Sequence, residues 1–252
     1  GTKAGGPYLY ANPAHAHTWS HVYPVGYAID AKMTGLTPST RYYYIVGDLN
    51  SGLFSDEASF MSQRPTGPMN SPKSNPNPLK IIMFGDEGIS NSKHTISHTV
   101  DAIQRHTADF VYHVGDISYA DDRHSDLYEQ VWNQYMDQIE NASAYAPYMV
   151  CPGNHEYASG KPILPYSINF KEYNERFSMP SVKHAHNMWY SFDVGNVHFI
   201  SVSSGSDYPG CEFWYALGFG DQLAWIEADL AAVDRKVTPW IVAVGHYPMY
   251  ST

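Results

Sequence analysis

The sequence predicts an α/β protein in which a layered α/β domain follows a partial β-sandwich. Strand-type runs dominate the front of the chain, and strand-like runs alternate with helix-like runs from residue 80 onward. A proline-rich segment separates the two parts, because residues 62–79 hold five prolines and few bulky apolar side chains. We therefore expect a front domain over residues 1–64, a linker over 65–79 and a back domain over 80–252.

The front is predicted to form antiparallel strands. Residues 27–33 alternate apolar and polar side chains, and residues 41–46 are rich in strand-forming residues. The turn between them resembles the tyrosine corner of fibronectin type III and immunoglobulin-like sandwiches, in which a tyrosine hydroxyl bonds back across a turn. The residues that carry this resemblance are Leu36, Pro38, Tyr42 and Tyr44. An ordinary tyrosine-rich hairpin is the alternative interpretation.

The back alternates between the two kinds of element. Strand-like runs are predicted at residues 80–84, 110–114, 148–151, 197–202 and 240–244. A helix is predicted over residues 94–105, and two more are predicted from apolar side chains repeated at helical spacing. Those repeats are Leu127, Val131, Tyr135 and Ile139, then Leu223, Ile226, Leu230 and Val233, the second behind a possible cap at Asp221.

Composition excludes several classes of protein. The 252 residues are 43% hydrophobic and only 16% charged, which is typical of a folded domain. The formal net charge of −10 argues against sequence-independent nucleic-acid binding, which needs a basic surface to neutralise phosphates. No apolar run approaches the roughly 20 residues of a membrane-spanning helix. The oligomeric state stays open.

Four predicted strands end in the same way, with a glycine followed by a side chain able to bind a metal or donate a hydrogen bond. Because ligands of α/β sheets bind beyond the carboxyl ends of the strands, we expect these turns to converge on one crevice. Each turn alone is a weak signal, whereas four in order are specific. The four are Gly85-Asp86, Gly115-Asp116, Gly153-Asn154-His155-Glu156 and Gly245-His246.

These turns resemble the first four of the five metal-binding motifs of metallophosphoesterases. Tyr119, three residues after Asp116, narrows the resemblance to the purple acid phosphatases, in which a phenolate binds ferric iron. Further segments are similar to the large, two-domain form of that family, which has a fibronectin type III-like front domain. They are Tyr119-Ala120-Asp121, Cys151-Pro152-Gly153-Asn154-His155-Glu156, and Trp225 to Leu230 followed by Val233-Asp234-Arg235.

The resemblance implies a dinuclear metal centre. Asp86, Asp116 and Tyr119 would bind Fe(III), and Asp116 would bridge to a divalent ion, expected to be Zn, Mn or Fe. Asn154 and His246 would complete the ligands of that second ion. A metal-bound hydroxide would be the nucleophile.

His155 has two possible roles under the resemblance. It would bind the phosphoryl oxygens, together with Asn154, or help protonate the leaving alcohol. The alternative is that it only supports the Asn154 loop.

The fifth motif of the family, Gly-His-x-His, supplies one histidine to each metal and is absent before the chain ends at Thr252. We therefore expect this sequence to be a C-terminally truncated piece whose metal affinity and activity are in doubt. Two other His-x-His pairs, at residues 15–17 and 184–186, lie in polar segments. They are expected to be solvated loops rather than substitutes. Ala243, where the family often has valine, is a minor departure.

Several other residues have simpler interpretations. Cys151 closes an apolar strand and is expected to be a buried thiol, although a disulfide to Cys211 stays open. Asn141 begins an Asn-Ala-Ser glycosylation pattern, expected on the surface just after a helix. Together with the resemblance, it favours a secreted, vacuolar or lysosomal location. Packing rather than chemistry is expected of Tyr112, Tyr128, Tyr135 and Tyr148.

The resemblance thus implies an acid phosphatase that hydrolyses phosphate monoesters at acidic pH and takes small phosphate esters as substrates. A metal-dependent phosphodiesterase or nucleotide pyrophosphatase is the nearest alternative, against which Tyr119 argues. The second alternative is a catalytically inactive binding module, since two histidine ligands are absent.

Overall fold

The computed structural model describes residues 1–8, 15–18, 27–67, 78–90, 94–122, 127–157, 170–181, 187–204, 222–248 and 250. Within these residues the chain forms twelve strands and four helices. The strands are β1 His15–Thr18, β2 Tyr27–Asp30, β3 Arg41–Tyr44, β4 Gly47–Asp48, β5 Leu53–Phe54, β6 Ala58–Met61, β7 Ile81–Phe84, β8 Phe110–Val114, β9 Tyr148–Cys151, β10 Tyr190–Val194, β11 Val197–Ser201 and β12 Trp240–Val244. The helices are α1 Thr95–Gln104, α2 Tyr128–Ser143, α3 Lys171–Arg176 and α4 Gln222–Ala232.

The front consists of three antiparallel pairs, β1 with β2, β3 with β6, and β4 with β5. The predicted strands at residues 27–33 and 41–46 are present in shorter form as β2 and β3. The Tyr42 hydroxyl accepts a hydrogen bond of 2.8 Å from the Thr37 backbone N–H, which is the contact expected across a tyrosine corner. Of the histidine pairs expected in loops, His15 and His17 lie in strand β1, so that expectation is wrong for them.

Polar contacts join the front to the back. The Tyr44 hydroxyl donates to the Ala144 carbonyl over 2.8 Å, at the end of α2. Arg64 donates to both carboxylate oxygens of Asp109, at 2.8 and 2.9 Å, just before β8. Both bonds come from one guanidinium nitrogen, Nη2, and they pair the positive charge of Arg64 with the carboxylate of Asp109.

The first sheet of the back is parallel, in the order β7–β8–β9, and α1 and α2 form its crossover connections. Side chains alternate between its two faces because the strand period is two residues. Val111 and Val150 face the helices and pack in a core with Trp132 and Ile139. The opposite face contributes Phe110, Tyr112 and Cys151 to a second core.

That second core lies against another sheet, in the order β10–β11–β12. β10 and β11 form an antiparallel hairpin, whereas β11 and β12 are parallel. Phe110 of the first sheet meets Phe199 of the second edge to face, with ring centroids 5.6 Å apart. The fourth predicted metal turn therefore follows a strand of the second sheet, while the other three follow strands of the first.

The predicted helices differ in how they pack. The apolar repeat in α2 is buried at Val131, Tyr135 and Ile139, as expected, whereas its first member, Leu127, precedes the helix and is 40% exposed. In α4, however, Leu223 is 62% exposed and Leu230 is 40% exposed, so the predicted apolar face is uncovered within the described residues. Asp221, its expected cap, lies outside them, as do Cys211 and the histidine pair at 184–186.

Candidate metal centre

Three strand-end turns bring carboxylates and an imidazole together. Asp86 follows β7, Asp116 follows β8 and His246 follows β12, and one ligand atom of each lies within 4.8 Å of the others. Asp116 is only 3% exposed, whereas Asp86 is open to solvent. Two carboxylates this close repel each other in a partly buried site, and a positive charge between them relieves that repulsion. The grouping is therefore suited to a cation.

The backbone of these turns adopts a costly conformation. Asp86, Asp116 and Tyr119 have φ angles of 58°, 51° and 54°, in the left-handed region that residues with a Cβ rarely adopt. Such conformations cost on the order of 1–3 kcal/mol each and persist only where the surroundings hold them. Three backbone hydrogen bonds of 3.1, 3.1 and 2.9 Å do so, from the N–H groups of residues 86–88 to the carbonyls of residues 115–117.

Two glycines are required by close approach. A Cβ on Gly153 would lie 2.2 Å from Asp116 Oδ1, and a Cβ on Gly115 would lie 2.7 Å from the His246 ring. Neither neighbour is able to move without disturbing the cluster. The glycines of the strand-end pattern therefore allow loops from both sheets to meet.

Tyr119 lies between the two carboxylates. Its hydroxyl is 3.1 Å from Asp86 Oδ1 and 3.3 Å from Asp116 Oδ2, to which it donates. Burial and the two negative charges raise the pKa of Tyr119, so the phenol keeps its proton when no cation is present. A cation among these three oxygens would reverse that balance, because it favours the ionised form of every group it touches.

His246 is oriented by its other nitrogen. Nδ1 donates to the Val114 carbonyl over 2.9 Å, which leaves Nε2 directed at Asp116 Oδ2, 3.3 Å away. Burial by itself lowers the pKa of His246, but the hydrogen bond and charge of Asp116 outweigh it and raise the pKa to about 9. A carbonyl that fixes the Nδ1–H tautomer is the usual arrangement behind a metal-binding Nε2.

The loop after β9 brings His155 to Asp116 and Asn154 to Tyr247, the residue after His246. The His155 backbone N–H donates to Asp116 Oδ1 over 2.9 Å. The amide oxygen of Asn154 accepts a hydrogen bond of 3.0 Å from the Tyr247 hydroxyl. The structure thus brings all six residues of the expected centre into one connected cluster, with Asn154 linked through the residue that follows His246.

The His155 ring faces two further acids. Nδ1 lies 2.9 Å from Asp121 and 3.9 Å from Asp122, and Nε2 lies 3.8 Å from Asp116 Oδ2. The hydrogen bond to Asp121 raises the pKa of His155 to about 9, against the opposing effect of burial. Asp121, Asp122 and His155 form a second group of ligand atoms within 4.8 Å.

Sequence reasoning gave no role to three residues that the structure places in the centre. They are Asp121, Tyr247 and Glu156. Asp121 and Glu156 stand inside the segments that carried the resemblance, so their position was a usable signal. Tyr247 had no such signal, because its contact with Asn154 spans 93 residues of sequence.

Two other predicted residues lie elsewhere. Asn141 is exposed, as expected, but lies in the last turn of α2 rather than after the helix. Cys151 is a buried free thiol whose pKa burial raises well above its usual value. The four tyrosines expected to pack, Tyr112, Tyr128, Tyr135 and Tyr148, are all buried.

Comparison with known families gives the class to which this fold belongs. Residues 79–252 match the family described as Calcineurin-like phosphoesterase, and residues 2–62 match the Purple acid Phosphatase, N-terminal domain. The chain belongs to the calcineurin-like phosphoesterase family. The front-domain match confirms the predicted resemblance to purple acid phosphatases of the two-domain form.

Individual relatives point the same way. The chain is 32% identical to "Purple acid phosphatase 23" of Arabidopsis thaliana, over 99% of this chain and 56% of that protein. It is 34% identical to "Acid phosphatase type 7" of Danio rerio, over 90% of this chain and 46% of that protein. The chain therefore spans about half the length of the curated relatives it matches.

A solved structure supports the fold. The purple acid phosphatase PPD1 from yellow lupin (Lupinus luteus) seeds superimposes with a TM-score of 0.72 and 25% sequence identity, over 96% of this chain and 44% of that one. Purple acid phosphatases hold a dinuclear metal centre, which agrees with the grouping of ligand atoms described above. Among the described residues, none of the helices has the length and apolar character needed to cross a membrane.

Proposed function

We propose that this chain carries the larger part of a dinuclear metal site that hydrolyses phosphate monoesters at acidic pH. The observation that carries the proposal is the convergence of Asp86, Asp116, Tyr119 and His246 from three strand ends. Carboxylates, a phenol and an imidazole in contact are ligands for cations, and among the described residues none of these side chains forms a salt bridge to Lys or Arg.

The donor set fits two different metals. The Tyr119 hydroxyl lies 3.1 Å from Asp86 Oδ1 and 3.3 Å from Asp116 Oδ2, and a set of three such oxygens suits Fe(III). Asp116, Asn154 and His246 would hold a divalent ion, Zn, Mn or Fe, because an imidazole and an amide oxygen accept such metals. Asp116 is in contact with both sets and would bridge them.

When bound, two metal ions would supply the Lewis acidity that clamps a phosphate and activates water for in-line attack. The chain's own residues would do the rest. Asp121 accepts from Nδ1 of His155 and so favours the imidazolium at acidic and neutral pH. The Nε2–H of His155 lies on the side of Asp116 and would donate to a phosphoryl oxygen or to the leaving alcohol.

The remaining expectations are part of the same proposal. Residues 1–64 would form the sandwich-like front domain, 65–79 the linker and 80–252 the catalytic domain. The substrate would be a small phosphate ester rather than nucleic acid, given the net charge of −10. Exposure of Asn141 supports glycosylation there, and with it a secreted, vacuolar or lysosomal location.

Loading the protein that carries this chain with Fe(III) and Zn tests the proposal. We expect phosphate release from an aryl phosphate monoester at acidic pH, together with a visible absorption band from the iron–phenolate pair. Tyr119→Phe should remove the band, because it deletes the only hydroxyl between Asp86 and Asp116 among the described residues. Tyr145→Phe, at an exposed tyrosine, is the matched control and should keep it. A band that survives in Tyr119→Phe would rule out the phenolate ligand.

The same preparation separates the alternatives. Faster release from a diester or a nucleotide pyrophosphate than from the monoester would favour the phosphodiesterase or pyrophosphatase. Metal analysis that finds neither iron nor a divalent ion after loading would favour the inactive binding module.

A further inference from the structure

The carboxylate of Glu156 is enclosed at the junction of two metal-site loops. The side chain is only 1% exposed, and both of its oxygens accept backbone hydrogen bonds. Oε2 accepts from the N–H groups of Asp116 at 2.8 Å and Gly153 at 2.7 Å, and Oε1 accepts from Ile117 at 2.7 Å. One side chain thus binds the backbone of the loop after β8 and of the loop after β9.

Those loops carry the residues proposed to hold both metals. Asp116 stands in the first loop, and Asn154 follows Gly153 in the second. Backbone N–H groups bonded to a carboxylate form stronger hydrogen bonds than neutral pairs do. Without Glu156 the three N–H groups would be buried without a partner, which costs about as much as a lost hydrogen bond for each.

The conformation of the first loop makes such support necessary. Gly115 and Asp116 have successive positive φ angles of 70° and 51°. The N–H groups of Asp116 and Ile117 nevertheless both reach the same carboxylate, one on each oxygen. The close approach of Gly153 to Asp116 leaves no space for the loops to shift past one another. The carboxylate therefore ties a strained backbone to its neighbour at the point of closest contact.

We propose that Glu156 is a positioning residue that sets the spacing between the Asp116 and Asn154 ligands by binding the backbone of both loops. The inference rests on the proposed function, because it concerns the metals that these ligands would hold. Glu156 acts on the ligands through the backbone, since both of its oxygens accept N–H groups of the two loops.

Glu156→Gln tests the role directly. Glutamine keeps the length and volume of the side chain but presents an NH₂ group to N–H donors, so at least one of the three bonds is lost. In the metal-free chain we expect the amide protons of Asp116, Ile117 and Gly153 to exchange with solvent at least about tenfold faster. The Val111 amide, bonded to the Pro147 carbonyl, is the internal reference and should not change.

Metal affinity gives the second measurement. Competition with a chelator should show a dissociation constant for the divalent ion that is raised about 10- to 100-fold, as is common when a group that orients ligands is removed. Glu172→Gln is the matched control, because Glu172 is a carboxylate of similar burial, 4% exposed, that pairs with Arg176 outside the site. It should leave the three amides and the metal affinity unchanged even where it lowers stability.

Each outcome is decisive. Exchange rates and a metal dissociation constant within twofold of wild type in Glu156→Gln would overturn the inference. If Glu156→Gln does not fold, Glu156→Asp replaces it, since its carboxylate is one methylene too short to keep all three bonds. Faster exchange of the three amides then supports the inference, and wild-type exchange overturns it. A wild-type chain that binds no metal would contradict the proposed function, while the exchange measurement would still test Glu156.

Discussion

Two polar clusters lie next to each other along strand β8, and they shift the pKa of histidine in opposite directions. In the first, His113 is fully buried and its Nδ1 lies 2.7 Å from the Tyr135 hydroxyl and 3.2 Å from that of Tyr148. Burial lowers its pKa to about 3, because hydroxyl groups do not compensate a buried positive charge. In the second, three residues further along the chain, the metal-site cluster begins at Asp116.

There the histidines are surrounded by carboxylates. His246 and His155 lie beside Asp116 and Asp121, and the pKa of each is raised to about 9. Both clusters contain histidine and tyrosine, but His113 is fully buried, whereas the side chain of His155 is 23% exposed. The second cluster also holds carboxylates, so the first is suited to holding the fold together and the second to holding cations.

The largest effect is expected from a substitution that removes negative charge from the metal-site cluster. Asp116→Asn keeps the shape of the side chain but neutralises the group that contacts Tyr119, His246 and the His155 backbone. In the metal-loaded protein we expect phosphate release to fall by about 1000-fold or more, on the order of 4 kcal/mol in activation free energy. Undiminished turnover in this variant would contradict the assignment. Asp137→Asn, at an exposed site on α2, should retain activity.

The next largest effect is a loss of folding stability at acidic pH, caused by His113 in the buried cluster. The pKa of His113 is about 3 in the folded chain and about 6.5 when unfolded. Between these values only the unfolded chain binds the proton, so stability falls as the pH drops from 6.5 toward 3. The loss from His113 should reach about 3 kcal/mol at pH 4, measured by urea unfolding of the metal-free chain.

His113→Gln should remove this part of the acid sensitivity, because glutamine does not titrate. His98→Gln, at an exposed position of α1, is the control and should keep the wild-type slope. Equal slopes in His113→Gln and wild type would mean that folding does not lower the pKa of His113.

The smallest expected effect concerns His155 in the metal-site cluster, whose pKa is raised rather than lowered. The pKa of His155 is raised to about 9, so its pairing with Asp121 stabilises the metal-free chain below pH 6.5 and this stability is lost as the pH rises through 9. The group is partly open to solvent, so the contribution is only about 1 kcal/mol. Asp121→Asn should lower the pKa of His155, read by NMR titration. An unchanged titration would show that Asp121 is not its main partner.

Much of the back domain could be predicted from sequence. The strands at residues 110–114, 148–151 and 240–244 have the predicted bounds, because apolar runs ending in glycine are local signals. Helix α3 was missed because its six residues carry no apolar repeat. Its Arg176 is held instead by Glu129 and Glu172, at 2.7 and 2.5 Å, in a buried ion pair.

The strands β1, β4, β5, β6 and β10 were missed for a related reason. They are two to five residues long, and a run of that length does not establish a period of two by itself. β10 is recognisable only through its pairing with β11, from Tyr190 opposite Ser201 to Val194 opposite Val197. Helix α4 shows a different limit. Its apolar repeat correctly predicted a helix but did not predict whether another element covers the apolar face.

By itself the sequence determined the types of side chain in the centre and their position directly after strand ends, because both are properties of a few consecutive residues. Only the tertiary structure decided which of them meet. His246 bonds to the Val114 carbonyl across 132 residues of sequence, and His155 meets Asp121 across 34. The pKa values, the tautomer of His246 and the left-handed backbone of Asp116 all follow from such neighbours, since charge and burial act through space and not along the chain.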